Sequence, residues 1–299
     1  MLVSSYLSIP IGMACNLNCR YCFRAMGKTR IPRLNDLMRG YLEQLDTSVT
    51  KRMSITGGEP LLYLDRVKEI LSVNDRIHKI IITNGTLLSD ETLKYFNDNH
   101  IEMRLSHDGP ATKNHRGVDI FETPDLLNLV RQAEQLSINC VVTNQNTNCM
   151  ETLDWFKETI GRDDFIVRFM PLYNEKENAD LLKGFDYAAF AKTNKKVYRI
   201  IPRKPAYEDV NFKRKENNLP KLGINILPNG DVVSCATLVK YGTVNDSAEI
   251  IYKRILALDE FKNCRKNQCQ SFYGCVKQYA SPHYCRVRRL EYAIEHTEV

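Results

Sequence analysis

Apolar and polar positions alternate along the first part of the chain with two different periods. Six short apolar runs are typical of strands, and the stretches between them repeat apolar residues every three or four positions, as amphipathic helices do. The predicted strands cover 7–11, 52–56, 79–83, 102–106, 138–143 and 165–170. The predicted helices lie near 34–45, 64–73, 89–97, 123–135 and 153–160. Ser89 and Thr123 are suitable N-cap residues for two of these helices.

Strands that alternate with helices predict an α/β fold with one parallel sheet and right-handed crossovers. Six units are too few for a full eight-stranded barrel, so we predict a partial (β/α)6 TIM-like barrel over residues 1–200. The alternation stops after a predicted helix at 185–199, and the Lys- and Pro-rich segment 201–221 is a predicted connector. Residues 201–299 are predicted to form a small, cysteine-rich α+β extension. It contains a hairpin at 223–235 with its turn at 228–231 and a helix near 250–258.

The ends of the predicted strands carry the unusual residues of the chain. Polar or glycine-rich clusters follow the first five strands, at 15–22, 56–60, 83–85, 106–109 and 143–144. In parallel α/β folds the active site lies at the carboxyl ends of the strands. We therefore expect these clusters to lie on one rim of the barrel.

Charge and hydropathy indicate which classes of protein the chain does not fit. Lys and Arg exceed Asp and Glu by 42 − 36 = 6, a mild positive excess. The basic clusters lack interleaved aromatic residues, so we interpret this charge as a basic solvated surface and not as a nucleic-acid binding site. An acidic peptide or a phosphorylated substrate fits the same charge. No apolar stretch approaches the roughly 18 residues of a membrane helix, and the first residues lack a basic signal-peptide region. We expect a cytoplasmic protein with no membrane contact.

Ten cysteines in such a protein indicate metal binding or catalysis. Cys15, Cys19 and Cys22 fall within eight residues, on a loop after the first predicted strand. Soft thiolates select zinc, copper(I) or iron–sulfur clusters. A closed zinc site needs a fourth ligand, and the segment up to residue 50 offers no further cysteine and no histidine. Three thiolates suit a four-iron cluster with one iron left open.

This spacing, with Tyr21 before the third cysteine, resembles the C-x3-C-x-aromatic-C element of the radical S-adenosylmethionine (SAM) superfamily. The resemblance implies a [4Fe-4S] cluster on Cys15, Cys19 and Cys22, whose open iron chelates the amino and carboxylate groups of SAM. It also implies reductive cleavage of SAM to a 5′-deoxyadenosyl radical, which abstracts hydrogen from a substrate. A one-electron donor such as flavodoxin or ferredoxin is then an expected partner.

Further motifs follow in the order of that family. Gly57-Gly58-Glu59-Pro60 matches its GGEP element, which implies that this backbone and Glu59 meet the amino group of SAM. Glycine suits such a place because it lets the backbone approach a ligand closely. Residues 105–110 resemble the SxDGP segment, which implies that Ser106 faces the ribose. By the same resemblance Arg116 helps to hold the SAM carboxylate and Tyr21 packs near the adenine.

Four of the remaining cysteines lie near the end of the chain. The spacing Cys264-x4-Cys269-x5-Cys275-x9-Cys285 supplies enough thiolates to close a site and fits a zinc ribbon poorly. The region resembles the SPASM/Twitch extension of radical SAM enzymes, although Tyr279 stands where that family has another cysteine. The resemblance implies one auxiliary [4Fe-4S] cluster on these four residues, with zinc or free thiols as the alternatives.

Cys235 is left over from this set. Gly230-x4-Cys235 matches the hairpin element of SPASM domains, but the partners of a first auxiliary cluster are missing. Cys235 is then a buried free cysteine, a replacement ligand of the auxiliary cluster, or a catalytic thiol that gives a hydrogen atom to a substrate radical. Cys140 and Cys149 are predicted to be structural.

The resemblance implies two substrate classes. One is a ribosomally made peptide, modified by epimerisation or crosslinking, and the other is a small molecule such as an aminocyclitol or sugar, modified by dehydrogenation or epimerisation. We favour the peptide. Sulfatase maturation is disfavoured, because Ala236 stands where that family has an aspartate. A non-catalytic iron–sulfur scaffold is a more distant alternative.

Overall fold

Six strands form one parallel sheet in chain order. The computed structural model describes residues 2, 6–22, 30–172, 180–186, 189–190, 193–194, 224–234 and 240–257. The sheet order is β1-β2-β3-β4-β5-β6, which confirms the predicted α/β partial barrel. The strands are β1 (Tyr6–Pro10), β2 (Arg52–Thr56), β3 (His78–Thr83), β4 (Glu102–Ser106), β5 (Leu136–Val142) and β6 (Ile166–Pro171).

Helices connect these strands. They are α1 (Asp36–Glu43), α2 (Leu64–Leu71), α3 (Asp90–Asp98), α4 (Thr112–Arg116), α5 (Pro124–Gln132) and α6 (Cys149–Ile160). Helix α6 begins before the predicted position 153, because Asn148 accepts hydrogen bonds from the amides of Met150 and Glu151 at 3.2 and 3.3 Å and so caps it. No helix in the described part of the chain is long and apolar enough to cross a bilayer.

The two faces of β4, β5 and β6 differ in polarity. One face is apolar and at most 3% exposed; it consists of Met103, Leu105, Ile138, Cys140, Val142, Val167 and Phe169. Most of the alternate positions carry polar side chains, and three of these, Ser106, Asn139 and Arg168, lie side by side in the strand register. Since successive side chains point to opposite faces of a sheet, these three residues share the polar face at one level.

A second sheet follows later in the chain. Strands β7 (Ile224–Ile226), β8 (Asp231–Ser234) and β9 (Lys240–Thr243) are antiparallel, and helix α7 (Ala248–Leu256) comes after them. The turn between β7 and β8 is the predicted one, with Gly230 at a φ of 83°. The predicted helix at 185–199 and connector at 201–221 lie largely outside the described residues. So does the cysteine-rich end of the chain.

The chain separates into two compact units. The first contains Met1–Ala14, Met26–Lys79 and Lys204–Cys285, so that β1 and β2 share a unit with the second sheet. The second contains Cys15–Ala25, Ile80–Arg203 and Arg286–Val299, and thus the cysteine loop and strands β4 to β6. The domain boundary inferred from the sequence at residue 200 stays a prediction.

Candidate active site

The cysteine loop, residues 15–22, follows β1 directly. Cys15 is exposed, whereas Cys19 and Cys22 are partly buried, and none of the three forms a disulfide with a described residue. Two donors reach Cys15 Sγ: the backbone amide of Leu17 at 3.4 Å and the side-chain amide of Asn84 at 3.7 Å. Asn84 follows β3, so a strand-end residue to which the sequence analysis gave no role contacts the first predicted cluster ligand.

These thiols fit an iron–sulfur cluster. Burial raises the pKa of Cys19 to about 11, and the nearby thiols of Cys22 and Cys15 add to that increase while Arg116 opposes it. The three sulfurs are therefore close enough to influence one another. Within the described residues no three Cys, His, Asp or Glu side chains converge on one metal ion. A four-iron cluster does not need such convergence, because each thiolate binds a different iron.

The GGEP turn lies against the exit of β1. Gly58 N donates to Gly12 O at 2.8 Å, and Glu59 N donates to Ala14 O at 2.9 Å. A Cβ atom on Gly57 would lie 2.3 Å from Gly12 O, and one on Gly58 would lie 2.1 Å from Ala14 O. Both glycines are thus required by the neighbouring protein backbone, a reason that the sequence analysis, which considered only a ligand, did not include.

Glu59 is 1% exposed. Its carboxylate accepts a hydrogen bond from Leu61 N at 3.0 Å and caps the short 3-10 helix Pro60–Tyr63. The fixed turn that results presents the backbone of Gly57 and Gly58 in one conformation. A contact between Glu59 and the amino group of SAM stays a prediction.

Asp108, two residues after Ser106, is the centre of a buried hydrogen-bond network. Arg116 donates to it twice, from Nε at 3.0 Å and from Nη2 at 2.9 Å. Val141 N donates at 2.8 Å, His115 Nδ1 lies at 3.2 Å, and the Tyr21 hydroxyl donates as well. Burial by itself would raise the pKa of Asp108, but Arg116, His115 and Tyr21 together hold it below its ordinary value.

Tyr21 and Arg116 are brought together by this network. The Arg116 guanidinium lies 5.5 Å from the centre of the Tyr21 ring, within the range of a cation–π interaction. Burial and the Asp108 carboxylate raise the pKa of the Tyr21 hydroxyl well above its usual value. Two donors of Arg116 are already used by Asp108, so the predicted contacts of Arg116 with the SAM carboxylate and of Tyr21 with the adenine stay predictions.

Ser106 ends β4 on the polar face of the sheet. Its side chain is partly exposed, and among the described residues its hydroxyl has no hydrogen-bond partner. The contact of Ser106 with the ribose stays a prediction. Asn139 lies beside it in the register; the period-two pattern of β5 is the signal that could have found this neighbour.

The predicted auxiliary site and the predicted thiol donor lie outside the described residues. These are Cys264, Cys269, Cys275, Cys285 and Cys235. Asp108 is a site residue that was not predicted, although it lies within the motif at 105–110. The signal was an acidic residue inside that motif, followed within eight positions by His115 and Arg116.

The cysteine loop lies within a stretch of the chain that matches a known family. The profile of the Radical SAM superfamily matches residues 9–160. A cysteine-type anaerobic sulfatase-maturating enzyme from Clostridium perfringens is 28% identical over 225 residues, which cover 63% of this chain and 58% of that protein. A GTP 3′,8-cyclase from Aliarcobacter butzleri is 27% identical over 199 residues, covering 60% of this chain and 59% of the cyclase. The chain thus spans less than two thirds of either relative.

Among solved structures, anSMEcpe with bound AdoMet and the Cp18Cys peptide has the same fold. The TM-score is 0.64 at 19% sequence identity, and the match covers 97% of each chain. This likeness confirms the partial barrel. Taken with the family match, the relatives support an enzyme of the SPASM/Twitch type.

Proposed function

Since the chain belongs to the radical SAM superfamily, we propose that it cleaves SAM reductively and uses the resulting radical to modify a ribosomally made peptide. The observation that carries this proposal is the cysteine loop, which lies within the matched residues 9–160 and follows directly on the segment paired with the GGEP turn. The [4Fe-4S] cluster and SAM are the cofactors of this family. Such a cluster supplies one electron, which breaks the S–C5′ bond of SAM.

We propose the following roles for the residues of the chain. Cys15, Cys19 and Cys22 would hold the cluster. Gly57 and Gly58 would offer backbone groups to the amino group of SAM, from a turn that the hydrogen bonds to Gly12 and Ala14 hold in place.

Ser106 would bind the ribose with the hydroxyl that no described residue uses. Because Arg116 already gives two of its five N–H donors to Asp108, we propose that the guanidinium lines the site beside Cys19 and Tyr21 and that only its unused donors, among them those of Nη1, are available to SAM.

Peptide modification is supported by the relatives. The Clostridium perfringens protein is named for the maturation of sulfatases, and the anSMEcpe structure contains a peptide. Maturation of a sulfatase itself remains disfavoured by Ala236, so epimerisation or crosslinking of another peptide is our proposal. A small-molecule substrate is the second candidate, favoured by the likeness to the GTP 3′,8-cyclase.

We propose that Cys264, Cys269, Cys275 and Cys285 hold one auxiliary cluster, and that flavodoxin or ferredoxin supplies the electron. Four thiolates close a cluster and leave no open iron, so this second cluster would serve electron transfer or structure.

Cleavage of SAM tests the central proposal. We expect the anaerobically reconstituted protein to form 5′-deoxyadenosine from SAM and dithionite, as measured by liquid chromatography. Cys19→Ala should reduce the yield at least about a thousandfold, because a cluster ligand is lost, and should lower bound iron by about four atoms per chain. Cys149→Ala is the matched control; it removes a buried thiol from α6 and should keep both values. Wild-type protein with an intact cluster and no deoxyadenosine would instead favour the scaffold alternative.

Cys235 is tested separately. If its thiol gives a hydrogen atom to the substrate radical, Cys235→Ala should form deoxyadenosine at the wild-type rate and release no epimerised product. Product made by wild-type protein in D2O should carry deuterium, because thiol hydrogens exchange with solvent. An active Cys235→Ala variant would leave the crosslinking alternative.

A further inference from the structure

The Asp108 carboxylate joins three segments that are distant in the chain. Its donors are the Tyr21 hydroxyl in the cysteine loop, the His115 and Arg116 side chains in α4, and the amide of Val141 in β5. A carboxylate has about four lone-pair positions, so these donors fill it. Asp108 is also fully buried. A saturated, buried carboxylate of this kind serves to hold other residues in place and cannot bind a ligand directly.

We propose that Asp108 is a positioning residue for the iron–sulfur cluster: it fixes the segment from Cys19 to Cys22 through Tyr21 and cancels the charge of Arg116 beside Cys19. Asp108 has this role only if the three cysteines hold the cluster, so the role rests on the proposed function. Asp108 itself needs no contact with SAM or the substrate for this role.

The positioning of the segment from Cys19 to Cys22 follows from the contacts that hold it. Tyr21 lies between two predicted ligands, and its hydroxyl is bound by Asp108 while its ring packs under Arg116 and edge-on against His115 at 5.7 Å. The preceding residue is held too, since Arg20 N donates to His115 O at 2.9 Å. The loop is therefore attached to α4 by a side chain and by the backbone. Losing the Tyr21 bond should loosen the segment that spaces Cys19 from Cys22.

The effect of Asp108 on the cluster potential follows from the charges of Arg116 and Asp108. Arg116 is buried, and its guanidinium lies 5.5 Å from the centre of the Tyr21 ring, two residues after Cys19. Burial favours loss of its proton, but the Asp108 carboxylate outweighs this effect and raises the pKa of Arg116 above its usual value. The pair is thus an ionised, neutral unit beside the cluster loop. Because nearby charge and hydrogen bonds help to set cluster reduction potentials, either partner left alone should shift the potential.

Two variants that each remove one charge should shift the midpoint potential of the cluster in opposite directions, and this provides a test. Asp108→Asn leaves the Arg116 charge uncompensated and should move the midpoint potential of the SAM-binding cluster to more positive values. Arg116→Gln leaves the Asp108 charge and should move it to more negative values. The double variant should return toward the wild-type potential, because both charges are gone. The measurement is an anaerobic redox titration followed by electron paramagnetic resonance of the reduced cluster.

Arg104→Gln is the matched control for a damaged buried ion pair. Arg104 Nη2 binds Glu102 Oε1 at 2.7 Å, and its side chain is 5% exposed. It lies four positions before Asp108, which is about 13 Å along an extended chain. This variant should lower the melting temperature and leave the cluster potential unchanged. A general loss of stability is thereby separated from an effect on the cluster.

Tyr21→Phe tests the positioning of the segment from Cys19 to Cys22 and guards against a poorly folded Asp108 variant. The ring stays under Arg116 and only the hydroxyl bond is lost. We expect iron release to a chelator to become about tenfold faster, the lower end of the effect of removing a supporting residue at a metal site.

Asp108 has no such role if the two single-charge variants shift the potential in the same direction or by no more than Arg104→Gln does. Wild-type iron release by Tyr21→Phe would equally overturn the positioning of the segment from Cys19 to Cys22. A wild-type protein that assembles no cluster or forms no deoxyadenosine would overturn the proposed function instead, so the two failures are distinguishable.

Discussion

At the scale of single residues, His107 shows how a buried hydrogen-bond chain fixes a protonation state. Thr112 Oγ1 accepts from Asp108 N at 2.7 Å and can therefore donate to His107 Nδ1 at 2.8 Å, which also accepts from Gly109 N at 3.1 Å. The proton then resides on Nε2, 2.9 Å from Asp119 Oδ1. The ring is neutral and stacks on Phe121 at 4.1 Å.

The protonation of His107 predicts an acid-sensitive fold. Burial lowers the pKa of His107, and the bond to Asp119 only partly offsets that effect. The unfolded chain, with a histidine pKa of about 6.5, binds more protons than the folded chain, so stability rises with pH and is lost as pH falls below about 6.5. We expect His107→Gln, which keeps an amide for hydrogen bonding, to show a shallower fall in melting temperature between pH 7 and pH 5.

His100→Asn is the matched control for this experiment. It removes an exposed histidine from a left-handed position, with φ at 50°, that asparagine tolerates. The control should reproduce the pH dependence of the wild-type protein. Equal slopes for His107→Gln and wild type would exclude His107 as the source of the acid sensitivity.

At the scale of elements, the residues that follow β1 pack against two elements that follow β2, the 3-10 helix Pro60–Tyr63 and α2. The Tyr63 ring lies where a Cβ atom on Gly12 would be placed, and the gap would be only 2.1 Å. The Tyr63 hydroxyl accepts from Ala14 N at 3.2 Å, and the Arg66 guanidinium lies 5.3 Å from the centre of the Tyr63 ring while it donates to Ile11 O at 3.2 Å. The segment before the first cysteine is thus held from the side of α2.

Substitutions of glycine should separate side-chain clashes from backbone clashes. Gly12→Ala should lower the free energy of unfolding by about 1–3 kcal/mol, the cost of overpacking. The same substitution should cost less when it is added to Tyr63→Ala, because the ring is gone. Gly58→Ala meets the Ala14 carbonyl, and no side-chain change should rescue it. Urea denaturation of these variants and of Tyr63→Ala alone measures the differences.

Gly40→Ala is the positive control. Gly40 lies within α1, and no atom of the described structure lies within 4 Å of an added Cβ. Alanine should stabilise the helix by about 0.5–1 kcal/mol. Destabilisation of Gly40→Ala would show that added volume on α1 is harmful for another reason. A stable Gly58→Ala would contradict the close approach of the two backbones.

The elements themselves were largely predictable from the sequence, and α4 shows the limit. Strands β2 and β4 have the predicted bounds, because their apolar residues form short runs between clear breaks. Helix α4 was not predicted, since Thr112–Arg116 is a run of polar residues with no apolar period. His115 and Arg116 in this helix are buried and hydrogen-bonded to Asp108, and His115 also contacts Thr143. A period in the sequence does not reveal such bonds.

At the scale of the whole chain, Asn35 connects segments almost two hundred residues apart. Its side-chain oxygen caps α1 by accepting from Met38 N at 3.0 Å, and its side-chain amide donates to Asn229 O at 3.2 Å. Its backbone amide donates to Pro228 O at 3.1 Å. The turn between β7 and β8 is therefore attached to the start of α1, within one compact unit.

Two variants of Asn35 should divide its contributions. Asn35→Asp keeps the cap and loses only the bond to Asn229, so it should cost about 0.5–1.5 kcal/mol, the usual net value of one hydrogen bond. Asn35→Ala loses both and should cost about 1 kcal/mol more, the usual value of an N-cap. Chemical denaturation gives both values. Equal stabilities for the two variants would show that the cap contributes nothing.

The candidate site was predictable only where its residues are neighbours in the sequence. Cys15, Cys19 and Cys22 form one short motif, so their spacing alone indicated their chemistry. Asp108 depends on Tyr21, Arg116 and Val141, which follow β1, follow β4 and lie in β5, and these segments come together only in the folded sheet. The same holds for Asn84 and Cys15. Long-range convergence of polar groups leaves no period and no fixed spacing in one sequence.

The pairing of Gly57 and Gly58 with residues 12–14 has a consequence for protein engineering. The two segments are separated by more than forty residues, yet their backbones pack so closely that a single added Cβ atom would clash. A chimera that takes its GGEP turn from one relative and its β1 exit from another would join surfaces that were never matched. Exchange of catalytic barrels between relatives should therefore move both segments together, with crossover points placed after Tyr63 or before Tyr6.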